Sequence, residues 1–163
     1  MSCELILGID PGTAITGYGV VALERGGAVS LVECGVVRTS ANEALAVRIR
    51  EIYEEITALI ARHQPSVVVV EDLFQGKNVQ SVLKLGHARG AILLAAALAE
   101  ITIAEYTPRE IKKAVVGNGN ATKGQVGFMV QQRLRLKTAP TPSDAADGVA
   151  AALCYCVMGA LKI

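Results

Sequence analysis

A chain of 163 residues suits one domain of ordinary size, and its 52% hydrophobic, 19% charged composition excludes a disordered or low-complexity polymer. The length also excludes two-lobed enzymes that work in a cleft between domains. The net charge of +1 hides a segregation: residues 1–76 carry 5 Lys and Arg against 10 Asp and Glu, residues 77–137 carry 10 against 3, and residues 138–163 carry 1 against 2. A basic middle between acidic ends fits a polyanionic ligand such as nucleic acid, although ordinary solvated helix faces would leave the same balance.

Residues 5–9 form an apolar run stopped by Asp10-Pro11-Gly12, which predicts a buried strand with Asp10 at its C-terminal edge. Residues 16–23 and 29–37 are rich in Val and Leu and are joined by Arg25-Gly26-Gly27, which predicts a hairpin and three antiparallel strands in succession. Over 42–62, Leu45, Ile49, Ile52, Ile56, Leu59 and Ile60 recur at helical spacing. That helix crosses over to Val67-Val68-Val69-Val70-Glu71, a central strand ending in a second carboxylate. Residues 78–99 predict a helix with a polar stripe at Gln80, Lys84 and His87, apolar all round from Gly90 onward. Such a helix is either sandwiched inside the fold or presents a partner surface.

A fifth strand follows over 101–105. Thr107-Pro108-Arg109-Glu110 and Thr122-Lys123-Gly124-Gln125 are capping boxes that open the next two helices, and Thr141-Pro142-Ser143-Asp144 opens an Ala-rich helix to about Leu161. The expected fold is α/β: a five-stranded mixed sheet, three antiparallel strands and then parallel crossovers, flanked by helices in one domain over 1–163. The uncharged stretches 90–99 and 148–161 fall short of the about 18 residues a membrane span needs, and no basic region precedes the first apolar run. A cytoplasmic protein without a span or signal peptide is expected. The cysteines, Cys3, Cys34, Cys154 and Cys156, have neither zinc-site nor disulfide-framework spacing.

Two hydrophobic strands that end in carboxylates draw attention to one sheet edge, because ligands of open α/β sheets gather there. Asp144 and Asp147, three residues apart, share a helix face. If all four acids meet, they need compensation, since like charges a few ångströms apart raise one another's pKa. Oxygen donors without His or Cys favour Mg2+ or Mn2+, and two such ions can clamp a phosphodiester for hydrolysis. Each acid alone has a plainer explanation: Asp144 as the acid of a capping box, Asp147 as a first-turn charge, Asp10 as a turn residue. Glu71 resists one, because a carboxylate after four valines is costly to bury unpartnered. Gly17-Tyr18-Gly19-Val20-Val21-Ala22 matches a dinucleotide fingerprint on paper, but strand residues follow where a helix is required.

Ile6-Leu7-Gly8-Ile9-Asp10-Pro11-Gly12, Glu71 with Phe74 three residues on, Leu83-Lys84-Leu85-Gly86-His87-Ala88-Arg89-Gly90 and Ser143-Asp144-Ala145-Ala146-Asp147 together closely resemble the RuvC family of bacterial crossover-junction endonucleases. The resemblance implies an RNase H-like fold and metal-dependent resolution of Holliday junctions by paired nicks in strands of like polarity, leaving 5′-phosphate and 3′-hydroxyl ends. It implies Asp10, Glu71, Asp144 and Asp147 as catalytic ligands of two Mg2+ ions per subunit, with Mn2+ as a substitute. Some relatives place a His near the third acid, where this chain has Asp144.

The same resemblance implies DNA contacts at Phe74, Lys77, Lys84, Arg89, Lys112 and Lys123, with Phe74 stacking on a base and Lys112 and Lys123 near the cleaved backbone. It further implies four-way junction DNA as substrate, a homodimer through the helix around 86–99, and the RuvA/RuvB branch-migration complex as partner. Gln75 and Gln80 stand where relatives are often basic. The competing readings are an RNase H-like nuclease for a different nucleic acid, one lobe of an ATP-binding sugar kinase or actin-like protein, and a junction-binding module without catalysis.

Overall fold

The computed structural model describes residues 3–72 and 78–160. Three antiparallel strands come first: β1 (Cys3–Asp10), β2 (Ile15–Glu24) and β3 (Val29–Arg38). Then α1 (Leu45–His63) crosses to β4 (Val67–Glu71), and α2 (Val79–Leu98) leads to β5 (Thr102–Tyr106). The remaining helices are α3 (Pro108–Val116), α4 (Lys123–Arg133) and α5 (Ser143–Ala160). The sheet runs β3-β2-β1-β4-β5, with β1, β4 and β5 parallel, so the expected mixed architecture is the observed one.

The unbroken apolar runs of β1 and β4 have a simple cause: both faces of these central strands are covered. Along β1, Ile6 faces one core while Leu7 and Ile9 face the other; along β4, Val67 and Val69 face the first, Val68 and Val70 the second. The first core is closed by α3, α4 and α5, the second by α1 and α2. Strand alternation therefore assigns Asp10 and Glu71 to the same sheet face, the one α5 covers.

Two helix starts differ from expectation. α1 begins at Leu45 rather than 42, because Ser40 to Glu43 close a turn in which the Glu43 amide donates to the Ser40 carbonyl at 3.1 Å. α5 begins at Ser143, after a cis Thr141–Pro142 bond, and Asp144 directs its carboxylate at other acids instead of capping with Thr141. The two other capping boxes form as predicted. Thr107 and Glu110 bond reciprocally at the start of α3, and Thr122 and Gln125 do so at the start of α4.

α2 is not sandwiched inside the fold. Ala88, Ala91, Ile92, Ala95 and Ala96 pack into the second core, while Val79, Leu83, Leu94 and Leu98 stay exposed. Length and apolarity alone would let α2 cross a bilayer, yet one of its faces is committed to the sheet and α1.

Candidate active site

The acids meet because main chain meets main chain. β1 and β4 pair in parallel through Ile9 and Val70, and the next residues in that register are Asp10 and Glu71. α5 lies across β1 and β2 with glycines, Gly8, Gly17, Gly19 and Gly148, at the closest approaches. A Cβ on Gly17 would sit 1.8 Å from the Asp144 carbonyl oxygen, and one on Gly148 would sit 2.5 Å from the Tyr18 backbone. That bare seam lets the first turn of α5 settle onto the strand ends. Asp10, Asp144 and Asp147 each bring a carboxylate oxygen to within 4.8 Å of the others. Glu71 is not one of this trio, but its carboxylate is near enough to Asp10 to raise it.

The electrostatics follow from that crowding. Burial comes first in pushing Asp10 up to about 9, followed by the hydrogen bond with Glu71 and its charge; Lys123 pulls the other way and Asp144 adds to the rise. Burial also raises Asp147, against a hydrogen bond from Lys123. Lys123 itself is raised, first by that bond to Asp147. The pair therefore keeps the lysine charged without fully offsetting the cost of burying Asp147. The donor set is oxygen only, Lys123 relieves the repulsion only in part, and both facts suit a hard divalent cation. These carboxylates form a cluster able to hold a metal ion.

Around the cluster, the structure exposes parts that sequence reasoning missed. Thr16, buried, closes the turn after Asp10: its hydroxyl donates to the Gly12 carbonyl at 2.8 Å and accepts from the Gly12 amide at 3.2 Å. A Thr four residues past an Asp-Pro-Gly turn is the signal that could have found it. Arg89, expected on DNA, has a different task. Its side chain is 14% exposed, pairs with Asp72 at 3.3 Å and with Glu105, and its Nε donates to the Glu71 carbonyl at 3.4 Å. It ties α2 to the ends of β4 and β5, beneath Glu71.

Arg89→Ala is accordingly expected to cost about 1–3 kcal/mol in equilibrium unfolding, because two carboxylates and a carbonyl lose one shared donor. Arg89→Lys keeps the charge but lacks the planar fork, so it should recover part of that loss. An Arg89→Ala variant as stable as the parent would remove the strut from the fold. Of the other expected DNA contacts, Lys84 is exposed on α2, Lys112 is half-buried on α3 and Lys123 is exposed at the start of α4. Phe74 and Lys77 lie outside the described residues.

A mixed sheet in this strand order, with acids from β1, β4 and α5 gathered at one edge, defines an RNase H-like nuclease domain. Residues 6–155 match the family model described as crossover junction endodeoxyribonuclease RuvC. The chain belongs to the RuvC family. It is 46% identical over 151 residues to the crossover junction endodeoxyribonuclease RuvC of Pelotomaculum thermopropionicum, spanning 93% of this chain and 92% of that one. Among solved structures, Thermus thermophilus RuvC superposes with a TM-score of 0.89 at 37% identity, covering 98% and 97% of the two chains. The T. thermophilus RuvC in complex with a Holliday junction substrate gives 0.91 at 35% identity, covering 98% and 96%.

Proposed function

We propose that this chain is a cytoplasmic, structure-selective endonuclease that resolves Holliday junctions in DNA recombination and repair, hydrolysing one phosphodiester in each of two strands of like polarity. The observation that carries this reading is the convergence of Asp10, Asp144 and Asp147, with Glu71 on Asp10, at the sheet edge of a RuvC-family chain. Asp10, Glu71, Asp144 and Asp147 would hold two divalent cations, Mg2+ or Mn2+. Bound there, the cations would acidify water and neutralise charge on the leaving oxygen.

The chain's own residues prepare the place. The glycine seam seats Asp144 and Asp147, Thr16 fixes the turn behind Asp10, and Arg89 anchors the main chain of Glu71. Attack of water on phosphorus with breakage of the P–O3′ bond would leave the 5′-phosphate and 3′-hydroxyl that a ligase needs. Affinity comes from the basic segment 77–137, through Lys77, Lys84, Lys112 and Lys123, with Phe74 stacking on a base near the crossover. Such phosphate contacts weaken steeply with salt.

A four-way junction is nearly twofold, and a twofold enzyme suits it. Val79, Leu83, His87, Gly90, Leu94 and Leu98 follow one another at steps of three and four residues and are all exposed on α2. Nothing lies within 4 Å of where a Gly90 side chain would be, so a second main chain can approach there. We assign this stripe to a homodimer, and the RuvA/RuvB branch-migration complex to the partner that delivers the junction. Leu94→Glu with Leu98→Glu should give monomers in analytical ultracentrifugation and unpaired nicks. Dimers that survive both changes would place the contact elsewhere.

Incubating the protein with a synthetic four-way junction and a matched duplex, with and without Mg2+, tests the whole reading. Symmetric paired nicks in the junction, dependent on the cation, are expected. Equal cutting of the duplex would overturn junction selectivity.

A further inference from the structure

Among the described residues, Lys123 is the cation seen pairing with the acidic trio. Its ammonium lies 3.1 Å from Asp147 Oδ2 and 3.7 Å from Asp144 Oδ1. The three partners differ in how free they are. The Asp147 and Asp144 side chains are 17% and 29% exposed, whereas that of Lys123 is 65% exposed. The acids are sunk into the sheet edge and the lysine reaches over them from solvent.

The main chain of Lys123 is fixed while its stem is not. It is the first residue of α4, and the reciprocal bonds of Thr122 and Gln125, at 2.9 and 3.2 Å, lock the turn that carries it. Beyond Cα there are four rotatable carbons and a compact point charge without the rigid fork of arginine. Such a side chain can give up one position for another at little cost to the fold.

We propose that Lys123 is a placeholder for the divalent cation: in the metal-free protein its ammonium neutralises Asp144 and Asp147, and entry of the metal displaces it toward solvent. This inference rests on the acidic cluster being the metal site. The oxygens at 3.1 and 3.7 Å from the ammonium belong to the same carboxylates that would ligate the ion, and a positive charge cannot stay against them while a divalent one binds. Lysine and metal are therefore competitors, coupled through two carboxylates. Displacement also carries the ammonium outward, where a polyanion would meet it.

Competition makes a prediction that a merely structural lysine would not. Removing the ammonium while keeping the length of the side chain, Lys123→Met, should tighten Mn2+ binding in calorimetric titration without DNA by at least about fivefold. Lys123→Gln should act in the same direction, and Lys123→Arg, which keeps the charge, should stay closer to the parent. Thermal melts should show a larger metal-induced rise in Tm for Lys123→Met than for the parent. Unchanged or weaker Mn2+ binding in both neutral variants overturns the placeholder alone, provided Asp147→Asn abolishes binding. Mn2+ affinity indifferent to Asp147→Asn overturns the metal site and the placeholder with it.

Discussion

Asp10→Asn is expected to abolish cation-dependent cleavage, by about three orders of magnitude or more, while making the metal-free protein more stable. The two effects share one cause. Asp10 is forced up to about 9 from an ordinary 3.8 by burial and by Glu71, so the folded protein holds a proton that the unfolded chain releases. Between those values a rise in pH favours the unfolded state, because the folded state binds more protons. Stability of the metal-free parent should therefore fall from acid toward neutral pH, and the Asn variant should show a shallower slope, keeping only the part that the raised Asp147 contributes. Near neutrality the gain should be about 1–2 kcal/mol, or roughly 3–6 °C in Tm. Junction binding should persist, since affinity rests on the basic segment. Identical pH slopes in thermal melts of both proteins would mean that Asp10 is not held protonated by its neighbours.

Gly17→Ala is expected to damage both fold and site. The added methyl would lie 1.8 Å from the Asp144 carbonyl oxygen and 2.5 Å from its carbon, atoms of a helix backbone that cannot rotate aside. Either α5 lifts or β2 bends, at about 3 kcal/mol or more. Because Asp144 belongs to the residue that must move, junction cleavage should collapse along with stability. Gly26→Ala is the control: nothing lies within 4 Å of its Cβ, so a change within about 0.5 kcal/mol and full activity are expected. Denaturant unfolding and a nicking assay on the two variants separate the outcomes. A Gly17→Ala protein that folds and cuts like its parent would show that the bare contact is not needed.

What the amino-acid order reveals depends on how local its cause is. The strand ends at Asp10 and Glu71 are legible because four to five apolar residues stop at a carboxylate, and the starts of α3 and α4 because a cap needs only four neighbours. The pairing of Asp144 with Asp147 follows from a helical step of three. The glycine seam is not legible, since Gly17 and Gly148 acquire their purpose only when they touch Asp144 and Tyr18, 127 and 130 residues away in sequence. Gly17-Tyr18-Gly19 looks like a failed nucleotide motif until α5 lies on it. Arg89 shows the same limit for charge: a basic residue in a basic segment is expected to face a polyanion, yet Asp72, Glu105 and the Glu71 carbonyl claim it. The sign of a charge does not name its partner.

The trio of acids draws one member from the first strand and two from the last helix. A ribosome emits Asp10 137 residues ahead of Asp147, so a polypeptide interrupted between them carries no complete set. The carboxylate cluster therefore comes into being only once α5 has been made and has settled on the strand ends.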